Sequence, residues 1–516
     1  MTFLAVPIAA ADIQACAEQI QRARAGGAEM LELRMDYLAA LTAERAAAVI
    51  AIAKETRLPT IVTCRDKAEG GFHTYSETVR ADVLATAVSA GAEFIDCEFR
   101  NFRNPTVREM LEVALAGTMH TRLILSAHDF KQPFEDIGRL CRDMLAVFPA
   151  AIPKLAYTAR NINDCFAAVD LLRHKHTDTI ALAMGEAGII TRLLAPKLGG
   201  LVTYASLEAS TATAPGQVGL DDFLALYRYH SLNTDTELFG VIADPVGHSM
   251  SPAVHNAAFG RAKMNRLYVP LLVQGGKTGF DVFMHSVLSR HLGFRGFSVT
   301  IPHKENALAF VKARKGRIDP ISEKTGAVNT VIVEKDGSLS GYNTDYAGAL
   351  DAITSSLGIK REDLRGHPIA VVGAGGVARA IVAGLAYAGA KIKIYNRTLS
   401  RARSLARDFD CEYAPLEALT SLEAKLLVNC TSLGMYPKVD ETPVPKECLR
   451  RDIAVFDTVY NPPSTLLLRQ AQAAGARTID GVAMFVGQAM QQFRLFTGHD
   501  AYPLVMREVV KSRLGS

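Results

Sequence analysis

Ile369-Ala370-Val371-Val372-Gly373-Ala374-Gly375-Gly376-Val377-Ala378 is the stretch on which the reading of this chain turns. Its first four residues are an apolar run short enough for a buried parallel strand. A helix-forming run to Ala388 follows, and Lys391 to Tyr395 makes a second strand. Strand, glycine turn, helix and strand, in that order, are the setting in which Gly-x-Gly-x-x-Ala carries a mechanism. Gly373 makes the tight turn. Gly375 lets the backbone approach a pyrophosphate at the helix N-terminus, with Ala374, Gly376 and Val377 completing the loop. Ala378 is small enough for close helix–strand packing. A βαβ turn with no ligand is the plainer alternative.

At the end of the second strand, an NAD site would place an acidic residue to hold the ribose hydroxyls. Here stand Asn396, Arg397 and Thr398, with Arg401 a helical turn further on. No carboxylate is there to repel a phosphate, and two guanidinium groups suit bidentate binding of a 2′-phosphate. The unit therefore reads as an NADP-binding Rossmann domain. Solvated arginines opening a helix are disfavoured, because cations oppose the dipole at a helix N-terminus.

Around this unit lies a chain of 516 residues, long enough for about three or four domains. Its 49% hydrophobic and 21% charged residues are those of a soluble globular protein. A net charge of +4 is too small to point to nucleic acid. Eight cysteines without CxxC or Cys/His spacing imply reduced thiols in a cytoplasmic protein, with no zinc site. The first residues have neither the basic region of a signal peptide nor the acid-poor character of a transit peptide. No apolar run is long enough to cross a membrane.

Residues 1–230 alternate strand and helix. Strands are expected at Leu4–Ile8, Met30–Leu33, Thr60–Cys64, Phe94–Cys97, Arg122–Ser126, Ile152–Ala156, Thr179–Met184 and Leu201–Ala205, with helices such as Asp12–Ala25 and Val79–Ala90 between them. Eight β/α units argue for a (β/α)8 TIM barrel, with an open doubly wound sheet as the alternative. Polar residues gather at the strand C-termini, where a barrel does its chemistry. They are Glu32, Arg34, Asp36, Arg65, Glu69, Asp96, Glu98, His128, Asp129, Arg192, Thr213 and Gln217. Converging, they describe a pocket with cationic walls for an acid substrate.

Lys154 stands apart because it interrupts an apolar strand, Ile152-Pro153-Lys154-Leu155-Ala156-Tyr157. A buried lysine is costly unless paired or neutral. Desolvated beside other cations, it would have a lowered pKa and become a nucleophile toward ketones. An interior ion pair is the alternative.

Glu32-Leu33-Arg34-Met35-Asp36, Arg65 with Glu69-Gly70-Gly71, Ser126-Ala127-His128-Asp129-Phe130, Pro153-Lys154 and Ala214-Pro215-Gly216-Gln217 resemble the type I 3-dehydroquinate dehydratases, in that family's order. The resemblance implies a Schiff base between Lys154 and the substrate ketone, with His128 as general acid–base and Glu69 as its partner. Arg34, Arg65, Arg192, Glu32 and Gln217 would hold the substrate hydroxyls and carboxylate. Thr213 stands where a serine is expected, keeping the hydroxyl and adding a methyl. An imidazole suits both proton removal and proton donation because its ordinary pKa is near neutral.

Segment 231–237 is polar with no apolar period and is taken as a linker. A second α/β pattern follows, with strands expected at Leu238–Ala243, Leu267–Val273, Gly296–Val299 and Val328–Val333, the last entering a hairpin through Asp336-Gly337. Ser249 and Ser251, Thr300 with Lys304, Asn329, and Asn343-Thr344-Asp345 offer donors and acceptors for a small polyol, with Lys304 and Asp345 as the ionisable pair. Ser251 could instead be a helix N-cap. Val428 to Ser432 would cover the nicotinamide side. Gln488 and Gln492 share a helix face.

Ser-x-Ser-Pro, Val-Thr-x-Pro-x-Lys, Asn-Thr-Asp, Gly-Ala-Gly-Gly and Asn-Arg-Thr, in that order, resemble shikimate dehydrogenase. The resemblance implies Lys304 and Asp345 as the catalytic pair. Ser249, Ser251, Thr300, Asn329, Tyr460, Gln488 and Gln492 would contact the substrate, and Thr431 and Met484 the NADP side. The whole chain resembles the fused dehydratase–dehydrogenases of plants and some bacteria, without a plastid-targeting segment. The implied layout is a barrel over 1–230, a substrate-binding domain over 238–345, a Rossmann domain over 346–484 and a helical segment over 485–516 returning to the substrate domain. Only small-molecule substrates are implied as partners. A quinate dehydrogenase second half, or a metabolite sensor that kept both folds, are the rival readings. A sensor should have lost Lys154, His128, Lys304 and Asp345, and all are present.

Overall fold

The computed structural model describes residues 2–208 and 213–515. Eight strands follow one another in the first part of the chain. They are β1 (Phe3–Ile8), β2 (Met30–Arg34), β3 (Thr60–Thr63), β4 (Phe94–Glu98), β5 (Arg122–Asp129), β6 (Ile152–Thr158), β7 (Ile180–Met184) and β8 (Val202–Ser206). Each pairs in parallel with its sequence neighbour from β1 to β7, and β8 pairs with β1. A two-residue β9 (Val218–Gly219) pairs in parallel alongside β8. The helices start where small polar residues cap them. Asp12 accepts from the Ala15 N–H, and Ser76 from the Val79 N–H, so the second expected helix begins at Glu77 rather than Val79.

Closure is decided by what meets inside. Ala5, Met30, Ile61, Phe94, Ile124, Ile152, Ile180 and Tyr204, one from each of the eight strands, belong to a single buried cluster. On an open sheet, β2 and β6 would lie roughly 19 Å apart at about 4.8 Å per strand. Here Lys154 on β6 reaches Glu32 on β2 at 3.0 Å. The open doubly wound alternative is therefore excluded, and the strand C-termini share one mouth.

The boundary between halves differs from the sequence expectation. Segment 231–237 is no free linker: Tyr229–Ser231 is a 3₁₀ turn, Thr236 is buried, and Glu237 already opens β10 (Glu237–Ala243). The first compact unit takes in the chain up to Glu237 together with Asp244–Gly247 and Asn265–Gly293. The last of these segments carries β11 (Arg266–Leu272) and the helix Gly276–Ser289. Arg290 clamps Asp170 with bonds of 2.8–3.0 Å and lies 4.7 Å over the Phe166 ring, which stacks on Phe283. These partners lie more than a hundred residues apart in sequence, so no local pattern announces them.

The second unit holds Leu238–Ala243, His248–Met264 and the chain from Phe294. Its first sheet contains β12 (Phe294–Val299), β13 (Arg317–Ile318), β14 (Thr330–Val333) and β15 (Leu339–Tyr342), running β10-β12-β14-β15-β13. The hairpin expected at Gly337 joins β14 to β15, with Gly337 at φ 84°.

The second sheet is parallel throughout. It contains β16 (Pro368–Val372), β17 (Lys391–Asn396), β18 (Glu412–Pro415), β19 (Leu426–Asn429), β20 (Ala454–Asp457) and β21 (Arg477–Ile479), in the order β18-β17-β16-β19-β20-β21. Strand order reverses beside β16, which places the ligand crevice at the end of that strand. Ile369 and Val371 enter the core on one face, Ala370 and Val372 that on the other. The helix Gly481–Thr497 runs through residue 484, so the expected boundary between 484 and 485 falls inside an element.

Candidate active sites

All nine residues expected to act in the barrel line one pocket: Glu32, Arg34, Arg65, Glu69, His128, Lys154, Arg192, Thr213 and Gln217. Strand parity puts them there, since Lys154 sits two residues beyond the core residue Ile152 and Glu32 two beyond Met30. The Lys154 ammonium donates to Glu32 Oε1 at 3.0 Å and to Asp96 Oδ2 at 2.8 Å. Asp96 also accepts from both terminal nitrogens of Arg65 and from the Ser126 hydroxyl. Arg65 reaches Glu98 at 2.9 Å, and Arg34 grips Asp36 at 2.8 and 2.9 Å.

This arrangement corrects two expectations. The walls are not simply cationic, because Arg34, Arg65 and Lys154 each face a carboxylate. Nor is the Lys154 pKa lowered. Burial alone would pull it down, but the Asp96 and Glu32 carboxylates overcome burial and hold the group above the ordinary lysine range. The sequence reading counted neighbouring cations and missed the anions, which arrive from β2 and β4. Lys154 is both the interior ion pair offered as the alternative and the centre of the pocket.

His128 closes β5, and its Nδ1 lies 3.1 Å from Glu69 Oε2, which also accepts the His128 backbone N–H at 3.0 Å. Burial, with Arg65 and Lys154 nearby, drives the imidazole pKa well below its ordinary value. The ring is thus neutral at rest, not poised near neutrality as its ordinary value would suggest. Burial pushes Glu69 up to about 7 against the pull of Arg65. Arg192, pulled down to about 10 by burial, has one guanidinium nitrogen on the Ala183 carbonyl and a buried Nε with no partner. An unpartnered guanidinium N–H facing a pocket calls for an anionic ligand.

In the second unit Lys304 Nζ lies 2.5 Å from Asp345 Oδ2. Asn329 donates to Asp345 Oδ1 at 2.9 Å and to the Thr344 hydroxyl at 3.1 Å, fixing the carboxylate. Ser251 is the first residue of the helix Ser251–Arg261, whose cap residue is Met250; its hydroxyl is not the N-cap. Its own N–H turns to Ser249 Oγ at 3.3 Å. Thr300, half-buried, follows β12, and its backbone N–H bonds the Ile242 carbonyl. The Tyr460 ring packs on Phe485, and Gln488 Nε2 bonds the Phe485 carbonyl.

Gln492, a helical turn beyond Gln488, is the more deeply buried of the two. It is 2% exposed, accepts from the Ser298 hydroxyl at 2.8 Å and donates to the Thr330 hydroxyl at 3.1 Å. It ties the last long helix to β12 and β14.

The Rossmann turn fits a dinucleotide. Gly373 takes φ 113°, and a Cβ there would lie 3.2 Å from the Cys430 backbone. Cβ atoms built on Gly375 and Gly376 meet nothing, leaving open the space over the helix N-terminus that a pyrophosphate needs. Ala378 is fully buried against the sheet. Arg397 and Arg401 are exposed, flanking Thr398 at the start of the helix Leu399–Phe409. Asn396 Nδ2 donates to the Thr398 carbonyl. Asp457 receives Asn429, whose carbonyl takes both the N–H and the hydroxyl of Thr431; this chain sets the turn beside Gly373. Met484 is buried in the helix after Asp480.

Four family models match in succession. Type I 3-dehydroquinase covers residues 4–234, the shikimate dehydrogenase substrate binding domain 241–331, shikimate / quinate 5-dehydrogenase 357–437, and the shikimate 5′-dehydrogenase C-terminal domain 481–511. A chloroplastic bifunctional 3-dehydroquinate dehydratase/shikimate dehydrogenase of Arabidopsis thaliana is 36% identical over 96% of this chain and 82% of its own length. The chain belongs to the bifunctional 3-dehydroquinate dehydratase/shikimate dehydrogenase family. An NADP(+) shikimate dehydrogenase of Methanosarcina mazei is 42% identical over 54% of this chain and 99% of its own. A crystal structure of a shikimate dehydrogenase in complex with NADP+ matches with a TM-score of 0.51 and 34% identity, over 55% of this chain and 97% of that one.

Within this bifunctional family member, sequence reasoning left three pocket groups without a role. Asp96 was noted only as a polar strand end, yet it is the hub on which Lys154, Arg65 and Ser126 converge. Ser126 and Tyr204 were read as strand residues. The signal that could have found them is strand parity, since both lie two residues from a core position on the inward face. Among the described residues no helix is long and apolar enough to cross a membrane, and no cluster of three or more metal-ligating side chains is present.

Proposed function

We propose that the barrel dehydrates 3-dehydroquinate to 3-dehydroshikimate and that the second unit reduces this product to shikimate with NADPH. The observation that carries the proposal is the pairing of the two centres in one family member: Lys154 with His128–Glu69 in one pocket, and Lys304 on Asp345 in the unit that also holds the Rossmann glycine turn. In the barrel, Lys154 first gives up a proton, for which Glu32 Oε1 at 3.0 Å is the nearest base after the anchored Asp96. The free amine then attacks the ketone carbon, and water leaves to form the iminium. The iminium acidifies the adjacent C–H, neutral His128 removes that proton, and the imidazolium so formed protonates the departing hydroxyl. Hydrolysis of the iminium frees Lys154. Arg192 and Arg34 hold the carboxylate and hydroxyls, with Glu32, Arg65, Thr213 and Gln217 completing the enclosure.

In the second unit NADP, in its reduced form, supplies the electron pair for the ketone. Lys304 and Asp345 hold the proton that the carbonyl oxygen takes up, and Asn329 keeps the carboxylate in place. Ser249, Ser251, Thr300, Tyr460 and Gln488 position the polyol. Gly373 to Ala378 cradle the pyrophosphate, while Asn396, Arg397, Thr398 and Arg401 select the 2′-phosphate. Eight free cysteines support a reducing, cytoplasmic setting.

The test is a coupled assay. 3-Dehydroquinate with NADPH should oxidise the cofactor, and the reverse reaction should prefer shikimate over quinate and NADP over NAD. No NADPH oxidation from dehydroquinate would leave a metabolite sensor. A preference for quinate would make the second unit a quinate dehydrogenase.

A further inference from the structure

On β8, Tyr204 projects into the barrel pocket and is 4% exposed. Its ring centroid lies 4.7 Å from Lys154 Nζ, close enough for a cation–π contact. Its hydroxyl is buried and makes no well-formed hydrogen bond: the Lys154 ammonium approaches the oxygen as a donor, but the hydroxyl proton has no acceptor. Buried hydroxyls nearly always find one, and leaving one unpaired costs the full desolvation of the group. Phenylalanine would fill the same ring volume without that penalty, so stability does not explain the oxygen. Among the described residues lining this pocket, the other unpartnered polar atom is Arg192 Nε, in the short helix Ile189–Leu193 that follows β7. Two unmet donors thus face the same space, one on each of two neighbouring barrel segments, beside the nucleophile.

We infer that the Tyr204 hydroxyl is a substrate-contacting, specificity-determining group of the dehydratase, donating a hydrogen bond to a polyol or carboxylate oxygen of a substrate anchored between Lys154 and Arg192. The inference rests on the dehydratase reading of the pocket. The ring has a separate part: it presents its π-face to the Lys154 ammonium, whose hydrogen bonds go to Asp96 and Glu32. The hydroxyl proton finds an acceptor only when substrate is bound, so it discriminates against ligands that lack an oxygen at that place.

Tyr204→Phe separates the two parts, since it keeps the ring and removes the oxygen. The full-length variant should unfold at the same temperature as the parent or slightly higher, because a buried unpaired hydroxyl is gone. Its kcat/KM for 3-dehydroquinate should fall about three- to tenfold, the range of one lost hydrogen bond. NADPH-dependent reduction of 3-dehydroshikimate by the same sample reports the amount of folded chain. Tyr204→Leu, which also removes the ring, should lose more and should slow borohydride trapping of substrate on Lys154. Unchanged dehydratase kinetics in Tyr204→Phe would overturn the inference. A fall in activity matched by a fall in unfolding temperature would also overturn it, by making the hydroxyl structural. If the parent chain itself does not dehydrate 3-dehydroquinate, the function of the pocket fails, and the hydroxyl with it; if the parent turns over and Tyr204→Phe equals it, only the role of Tyr204 fails.

Discussion

Lys154 and Lys304 each contact a carboxylate, yet the Lys154 side chain is 5% exposed and that of Lys304 is 25% exposed. Lys154 has two carboxylates, one of them shared with Arg65, in a group almost shut off from solvent. Lys304 has one, at the rim of its sheet. The proposed chemistry accounts for the difference. A lysine that attacks a ketone must become neutral inside the site, so it needs anions at hand to receive its proton and a dry pocket in which the iminium survives. A lysine that only shares a proton with a carbonyl oxygen needs position, and one fixed partner provides it.

The comparison is broken most directly at Lys154. Lys154→Ala should lower dehydration by a factor on the order of 10³ or more, while reduction of dehydroshikimate continues. Borohydride with dehydroquinate should add substrate mass at Lys154 in the parent and nowhere in the variant. Mass at another lysine would assign the nucleophile elsewhere. The variant should also unfold earlier, because Glu32 and Asp96 lose a buried cation.

Lys304→Met is the matching cut in the second unit. It should lower kcat for reduction by roughly 10²- to 10⁴-fold and change KM much less, as a contact made mainly in the transition state does. Its effect on unfolding should be small, because the pair is partly solvated. An unchanged kcat would leave Lys304 a binding residue.

What could be read from sequence followed the range of the interactions. The βα units, the glycine turn, the Gly337 hairpin and the helix starts at Asp12 and Ser76 depend on residues within one turn or one strand, and the sequence displays them. Lys154 was conspicuous because one charge broke an apolar strand. Its electrostatics were misread because Glu32 and Asp96 reach it only by barrel closure. The surroundings of Gln492 were hidden for the same reason: an i, i+4 spacing gives a helix face, but only packing shows that Gln492 meets Ser298 and Thr330 rather than solvent. The opening stretch of the first compact unit does end at Glu237, but the return of Asn265–Gly293 to that unit, where Arg290 meets Asp170, depends on partners 120 residues apart.

A smaller effect tests the cofactor turn. Arg397→Ala and Arg401→Ala should each weaken NADPH binding by about 10- to 100-fold and NADH binding hardly at all, since a charge-assisted hydrogen bond contributes about 1.5–3 kcal/mol. Both arginines are exposed, so loss of affinity for both cofactors alike would show that they shape the helix start and do not choose the phosphate.

The mildest prediction separates the two centres by pH. Burial raises the Glu69 carboxyl to about 7, overcoming Arg65. Below that value Glu69 is protonated; above it, the anion accepts the His128 Nδ1 proton and leaves the other ring nitrogen free as a base. Dehydratase kcat/KM should therefore climb about tenfold per pH unit on the acid side and level off above about 7. Stability runs the other way. A carboxyl whose folded pKa exceeds its ordinary 4.5 contributes fully below 4.5, and that contribution is lost as pH rises to about 7. Over one window, then, activity should rise while this part of the unfolding free energy falls. Glu69→Gln should flatten both curves and lower the activity plateau, because an amide cannot take the charge of the ring it faces. Reduction by the second unit should show no break tied to Glu69. A dehydratase limb that survives in Glu69→Gln would move the titrating group to another member of the pocket and leave His128 without its proposed partner.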